Sequence, residues 1–365
     1  MSDIPRTPPA WLVAGIGRVR KALEFVSRSA VPPNVALFEI AQGAWLTQAL
    51  YVAVKLGIAD ALRDGPLTAD EVARRVDADP DATYRLMRAL ASNGIFTLRR
   101  NGRFALTRVG HAARSDYPGS MAPMIAMVGN SEHWEHWGSL LHSVRTGETA
   151  VERLRGAPIF EYLDTNPEYA AVFNDAMTGV SAIAIEMAVP RYDFTSFKRV
   201  VDVGGGHGAL LAAVLAAAPR AHGVLFDLPS VVDGARAVLA DAGVAPRCTL
   251  EGGSFFDAVP DGADAYLMKT VIHDWDDEKS LAILRNVRTA IAADGKLLLM
   301  ELVLPEGAPH HPGTLLDLEM LVHAGGRERT AVEYRDLLSR AGFHMTRVIP
   351  TAGPMSIVEA VPASS

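Results

Sequence analysis

Between Arg199 and Leu211 the chain reads RVVDVGGGHGALL, and no other stretch restricts the fold as much. An apolar run ends at Asp202, glycines occupy positions 204, 205, 206 and 208, and helix-forming Ala and Leu follow. That is a buried strand, a turn stripped of side chains, and a helix start. Backbone at such a turn can press against a nucleotide-like ligand, and the helix N-terminus offers free N–H groups. From residue 199 onward strand and helix signals alternate, as a parallel sheet with crossover helices requires. Strands are expected at 199–204, 223–228, 248–253, 264–270, 296–303, 344–350 and 356–361. Helices are expected near 208–218, 229–242, 276–292, 313–323 and 331–341. Only the Thr351–Pro354 turn separates the last two strands, so they should form an antiparallel hairpin.

The half before residue 199 has a different pattern, and 365 residues favour more than one domain. Residues 10–29 carry Trp11, Val13, Ile16, Val19, Leu23 and Val26 near helical spacing, and Pro32 and Pro33 end that helix. Leu37 to Leu62 is apolar most of the way round, so it must be buried inside the fold or against another chain. Thr68 with Glu71 makes a capping-box start, a turn at Asp77–Asp81 leads to a second helix, and Asn93-Gly94 closes it. IFTLRR-NG-RFALT then predicts a hairpin on a two-residue Asn101-Gly102 turn. Together these make a winged-helix pattern. Arg85, Arg88, Arg99, Arg100, Arg103 and Arg108 admit a DNA-binding regulator as an alternative, which the net charge of -7 disfavours.

Residues 115–190 are helical in pattern and rich in Met121, Met124, Met127, Trp134, Trp137, Phe160, Tyr162, Tyr169, Phe173 and Met177. Most belong to an ordinary core, but methionines also line adaptable binding surfaces. His133, His136 and His142 have no clear partner set for a metal. The expected division is an N-terminal helical extension at 1–34, a winged-helix-like dimerisation domain at 35–114, a helical linker at 115–190 and a ligand-binding α/β domain at 191–365. Cys248 is the only cysteine, so no intrachain disulfide forms. Asp3, Pro5, Pro8 and Pro9, followed by Arg18 and Arg20, do not make a secretory signal, and no apolar run reaches membrane length. The expectation is a cytoplasmic protein.

The glycine turn alone is ambiguous. Gly204, Gly206 and Ala209 satisfy the dinucleotide spacing, and Asp227 lies about twenty residues further on, so an NAD-dependent dehydrogenase is an alternative. Asp202 stands against it, because pyrophosphate would meet a negative charge there. Gly208 extends the run to D-x-G-x-G-x-G, and the C-terminal hairpin replaces a second βαβαβ half. An amino-acid-bearing cationic nucleoside suits the acid better, with Asp227 taking ribose hydroxyls.

VVDVGGGHG at 200–208, LFDLP at 225–229, LEGGSFF at 250–256, LMKTVIHDWDDE at 267–278, LLMELVLPE at 298–306 and DLEML…GGRERT at 317–330 occur in one order. In this the chain, over about residues 35–361, resembles the class I S-adenosylmethionine-dependent O-methyltransferases of the plant-caffeate type, in their bacterial branch. The resemblance implies a Rossmann-like seven-stranded sheet with a C-terminal antiparallel hairpin, a dimerisation domain before it, and S-adenosyl-L-methionine as cofactor. It implies that Gly204 and Gly206 lie against the cofactor's amino-acid part, beside Asp202. Asp227 would hold the ribose and Leu228 pack on the adenine, while Lys269, Trp275 and Ser181 contact the cofactor. Ser254 stands where the family often has an acid contacting the adenine amino group; its hydroxyl can still accept a hydrogen bond from the cofactor, and the ring of Phe255 could cover the adenine.

The resemblance also makes His273 the general base, flanked by Glu301 and Glu328. Methyl transfer is an in-line displacement in which positioning and desolvation do much of the work. A phenol has a pKa near 10, so a base helps to form its oxyanion at neutral pH. A carboxylate on the other ring nitrogen fixes the tautomer and stabilises the imidazolium. Asp274, Asp276 and Asp277 are read as one N-cap and complements to a helix dipole, and no metal is expected. Trp134, Phe173, Met177, Met320 and His323 are expected to line the pocket for an aromatic or polyketide-like acceptor, in a homodimer built through residues 35–110. The same fold and cofactor used for other chemistry is a further alternative.

Overall fold

A computed structural model of the chain describes residues 10–307, 311 and 313–363. Asp3, Pro5, Pro8 and Pro9, used above to read the N-terminus, lie outside the described residues, as do the side chains of Trp11 and Val13. The chain divides into two units. Among the described residues, one holds 10–21, 140–159 and those from 184 to 363; the other holds 22–139 and 160–183.

The second unit begins inside helix Ala10–Ser29, the helix expected at 10–29, and continues with helices Pro33–Ala41, Gly43–Lys55 and Ile58–Ala61. The stretch expected as one apolar helix is thus broken at Gln42 and at Gly57, whose φ of 68° ends a helix. Helix Ala69–Val76 carries the capping box of Thr68 and Glu71, and Arg103 returns from the hairpin to pair with Glu71 at 2.8 Å. Asp79 caps helix Pro80–Ser92. Strands β1 (Phe96–Leu98) and β2 (Phe104–Leu106) pair antiparallel. Their connection corrects the expected turn. Arg99 and Arg103 still pair, Gly102 N–H donates to Arg99 O, and only Gly102 has positive φ. It is therefore a three-residue loop with glycine in the left-handed position; a two-residue type I′ turn needs positive φ at both residues. Ile58, Val72, Met87, Leu90, Phe96 and Phe104 form the core. Leu37, Phe38, Ile40 and Trp45 remain 55–69% exposed.

Helix Pro167–Ala188 has residues in both units. The stretch 167–191 is long and apolar enough to cross a membrane by length and composition, which corrects the expectation that none is. Asp175, Thr178, Ser181 and Glu186 interrupt it, so counting consecutive apolar residues overlooks it. A core helix passes the same test.

The first unit is built on a sheet of strands β3 (Arg199–Val203), β4 (His222–Asp227), β5 (Cys248–Gly252), β6 (Ala265–Lys269), β7 (Lys296–Leu304), β8 (Arg329–Thr330), β9 (Phe343–Pro350) and β10 (Met355–Pro362). The order is β5-β4-β3-β6-β7-β10-β9. The first five run parallel and β10 lies antiparallel between β7 and β9, giving the expected hairpin. The two-residue β8, which has no apolar run to announce it, pairs with the end of β7. Both faces of the sheet are covered, so the strands read as continuous apolar runs: Val200, Val201 and Val203 in β3 and Leu297–Leu299 in β7 are fully buried. Helix Ala209–Ala217 contributes Leu211, Val214 and Leu215 to the core under β3 and β4. The helix expected at 229–242 is two, Pro229–Val232 and Ala235–Asp241, separated at Asp233-Gly234. This topology brings the carboxyl ends of β3, β4, β6 and β7 to one edge, where ligands of open α/β sheets bind.

Candidate active site

At the end of β3 the chain turns through Gly204, Gly206 and Gly208, with φ of 67°, 57° and 79°. A side-chain carbon at Gly204 would stand 2.9 Å from Val271 Cγ2, while one at Gly206 would meet nothing, so the turn is closed on one side and open on the other. Asp227 at the end of β4 reaches across: its Oδ2 accepts from Gly206 N–H and its Oδ1 from Leu228 N–H, both at 2.7 Å. Each oxygen keeps a lone pair for a ligand hydroxyl.

Asp202, expected beside the cofactor, is buried against the turn. It is 1% exposed, and a side-chain carbon on Gly205 would come within 2.8 Å of its Oδ2. The carboxyl therefore lies beneath the turn, with Oδ2 unpartnered and sealed from solvent. Burial pushes it up to about 7, against the pull of Lys269 and the Leu211 N–H.

β6 ends at Lys269, and past it lie Thr270 and a short 3-10 helix, Ile272–Asp274, that carries His273. Thr270 N–H continues the ladder to Met300 O at 3.1 Å. The next two N–H groups, of Val271 and Ile272, both donate to Oε1 of Glu301 on β7, at 3.1 and 2.9 Å. Glu301 thus holds the backbone leading to the histidine, and its Oε2 has no hydrogen-bond partner. The ring contact belongs to Glu328, whose Oε1 lies 2.8 Å from His273 Nδ1. Glu328 is itself fixed by its N–H donating to Asp317 Oδ1 at 2.8 Å.

Of the three aspartates expected at the helix start, Asp276 caps helix Asp277–Ala290 by accepting from Lys279 N–H. Asp277 stands in the first turn of that helix, as a dipole complement should, and also pairs with the buried Arg329 at 2.8 Å. Asp274 lies before that helix and faces the histidine: its Oδ1 is 3.5 Å from His273 Nε2. Arg329 also donates to Ile272 O, Trp275 O and Ser280 Oγ, clamping the His273 segment. Gly326 is needed because a side-chain carbon there would collide with His273 O.

Burial lowers the proton affinity of His273, but Asp274, Glu301 and Glu328 outweigh it and hold the ring up at about 10. Burial raises Glu301 to about 7, opposed by His273. Burial lowers Lys269, opposed by Asp202, Glu301 and Asp274. Lys269 Nζ stands 3.2 Å from Thr270 Oγ1.

At the far end of the turn an aromatic cluster forms. The ring centroids of Phe256 and Trp275, and of Phe255 and Phe256, are 4.9 Å apart, and Phe255 lies 6.1 Å from Trp275. Asn286 Nδ2 donates to Phe255 O and Phe256 O, each at 2.9 Å. Ser254 Oγ accepts from Phe256 N–H at 3.2 Å, so the residue in the acid's place shapes the loop. Leu228 is half exposed. Sequence reasoning missed Thr270, Phe256, Asn286, Asp317 and Arg329. Arg329 and Asp317 lie inside quoted motifs, but an arginine is ordinarily exposed and nothing local marks this one as buried.

Met320 and His323 share a face of helix Gly313–His323, both buried, with His323 Nδ1 3.0 Å from Glu319 Oε1. In the other unit Phe173, Met177 and Ser181 follow at i, i+4 and i+8 on helix Pro167–Ala188, half-buried, and Trp134 lies on helix Ser131–Gly138.

A glycine turn with an acid spanning it, a half-buried lysine, an aromatic cluster and a histidine–carboxylate pair suit a nucleoside bearing an amino acid beside a base. Comparison with known proteins agrees. Residues 137–344 match the family model for the O-methyltransferase domain and residues 38–114 that for the O-methyltransferase dimerisation domain. The phenazine O-methyltransferase PhzM of Lysobacter antibioticus is 46% identical over 91% of this chain and 97% of its own. The O-demethylpuromycin-O-methyltransferase of Streptomyces alboniger is 41% identical over 87% of this chain and 86% of its own. A phenazine-1-carboxylate N-methyltransferase of Pseudomonas aeruginosa is 32% identical over 86% and 92%. Among solved structures, LaPhzM superposes with a TM-score of 0.84 at 46% identity, over 91% of this chain and all of that one. The O-methyltransferase NcsB1 from neocarzinostatin biosynthesis, in complex with S-adenosylmethionine and 2-hydroxy-5-methyl naphthoic acid, has a TM-score of 0.74 at 34% identity over 87% and 96%. The chain therefore belongs to the S-adenosylmethionine-dependent O-methyltransferase family, in its bacterial, plant-caffeate-like branch.

Proposed function

We propose that the protein methylates a hydroxyl of a planar aromatic or polyketide-like metabolite, with His273 as the general base. The observation that carries this reading is the buried 2.8 Å contact between His273 Nδ1 and Glu328. It leaves Nε2 as the atom that takes the acceptor's proton, and the carboxylate steadies the resulting imidazolium. S-adenosylmethionine, when bound, supplies an electrophilic methyl group on a sulfonium. Lys269 and Ser181 hold its amino-acid end, Asp227 its ribose, and Leu228, Phe255 and Trp275 its adenine; Gly204 and Gly206 let the backbone approach. Asp274, Glu301 and Glu328 favour the protonated form of the His273 ring. Positive charge brought beside them lowers that affinity and frees the base.

Trp134, Phe173, Met177, Met320 and His323 select the acceptor. Met177→Ala should change acceptor preference more than cofactor affinity. Residues 35–114 serve as the dimerisation domain, 115–190 contribute to the acceptor pocket and 191–365 form the catalytic domain. The exposed Leu37, Phe38, Ile40 and Trp45 support a homodimer, since a contiguous apolar face of this kind is normally covered. A monomeric mass at micromolar concentration would count against it. A reducing cytoplasm suits the single Cys248. A nitrogen acceptor is the second reading, favoured by the N-methylating relative.

The test is His273→Ala. Turnover with labelled S-adenosylmethionine and a panel of phenols, aromatic amines and polyketides should vanish. Calorimetric affinity for S-adenosylhomocysteine should stay within threefold. Full turnover in the variant overturns the assignment, and labelled aromatic amines alone establish the second reading.

A further inference from the structure

Thr270 has φ of 52°. A β-branched residue in the left-handed region is strained, and such strain persists only where the surroundings impose it. The surroundings here are specific. On one side, Thr270 Oγ1 donates to Lys269 O at 2.7 Å and stands 3.2 Å from Lys269 Nζ, placed to accept from the ammonium. On the other side Val271 returns to right-handed geometry, with φ of -114° and ψ of -50°. A left-handed residue next to a right-handed one turns successive N–H groups toward a common point, forming an anion-binding concavity. Glu301 Oε1 fills it, taking the N–H groups of Val271 and Ile272. The residue after those two is His273.

We infer that Thr270 is a positioning residue that fixes two parts of the site at once, holding the Lys269 ammonium by its hydroxyl and aiming the His273 segment by its left-handed turn. A valine could fill the same volume. Only a residue that keeps a hydroxyl in a left-handed turn does both. The inference rests on the proposed contact of Lys269 with the cofactor. It assigns to Glu301 an effect through the backbone, separate from any on the ring.

Four variants test it: Thr270→Ser, Thr270→Val, Thr270→Gly and Lys269→Met, each measured for calorimetric affinity for S-adenosylhomocysteine, thermal midpoint and pH–rate profile. Thr270→Val loses the hydroxyl and keeps the strain, so the dissociation constant should rise about tenfold or more, by analogy with the loss of one hydrogen bond to a charged group. Thr270→Ser keeps the hydroxyl and should bind within twofold of the parent. Thr270→Gly relieves the strain, so its midpoint should rise while affinity falls as in Thr270→Val. The glycine variant carries the affinity test if the valine variant does not fold. Its pH–rate profile should also shift, because a flexible turn no longer holds His273 against its carboxylates. Weakened binding in Lys269→Met with parental affinity in Thr270→Val and Thr270→Gly overturns the inference and leaves the cofactor contact standing. Parental affinity in Lys269→Met overturns that contact and the inference with it.

Discussion

Glu301 and Glu359 stand on adjacent strands of one sheet, β7 and β10, and both are sealed from solvent at 0% and 4% exposure. They have opposite surroundings. Glu359 accepts from Tyr192 at 2.5 Å, Thr346 at 2.6 Å, Arg347 at 3.1 Å through both Nε and Nη2, and Lys296 at 3.2 Å. Burial would raise it, but Arg347, Thr346, Tyr192 and Lys296 hold it down at about 2. Glu301 has two backbone N–H groups on one oxygen and nothing on the other, and burial carries it up to about 7. A buried carboxylate satisfied on every side serves stability; one left half satisfied is costly and is kept where chemistry needs it. Asp202, with its own unpartnered oxygen beneath the glycine turn, belongs with Glu301. Both costly acids cluster at the carboxyl edge of the sheet, with His273 and Lys269.

The contrast can be broken by substitution. The largest effect is expected at Glu328→Gln, which keeps the shape of the His273 contact and removes its charge. Single-turnover methyl transfer should fall roughly 100- to 10,000-fold with S-adenosylhomocysteine affinity unchanged. A loss below tenfold would mean that the dyad does not carry proton transfer. Next comes Glu359→Gln, measured by urea unfolding. It strips a buried acid from Arg347 and Lys296, whose side chains are 58% and 36% exposed and recover solvation, so the loss should be about 2 kcal/mol. A depressed acid stabilises above its unfolded pKa, so this contribution should be intact above about pH 5 and fade as pH falls toward 2.

Opposite in sign is Asp202→Asn. A carboxyl whose folded pKa is raised to about 7 costs stability once pH exceeds its unfolded value near 4, and the cost grows until pH passes 7. The variant should match the parent at pH 4 and be more stable than it at pH 8. Equal stability at both values would show that the buried acid carries no such cost.

The sheet was legible because each strand is an apolar run bounded by turn residues, and His273 because a motif and a strand end coincide. The contact that orients its ring was open between Glu301 and Glu328, since both lie far from it in sequence and only the order β6-β7 with β8 beside them decides. Asp274 and Asp277 looked alike as neighbours of a cap, yet one faces the histidine and the other a buried arginine. Helix breaks at Gln42 and Gly57 were hidden because apolar composition continues through them. Thr270 escaped notice because nothing in a threonine's surroundings in sequence announces a left-handed backbone.

The most direct test of the contrast is a paired measurement on Glu301→Gln and Glu359→Gln, recording the free energy of unfolding at pH 7.5 and the single-turnover rate of each. Glu301→Gln should keep its stability within about 1 kcal/mol, since the amide oxygen still accepts both N–H groups, while its rate falls at least tenfold. Glu359→Gln should lose stability and keep its rate. If both variants lose stability alike and neither loses rate, the division between an acid kept for chemistry and an acid kept for the fold is contradicted.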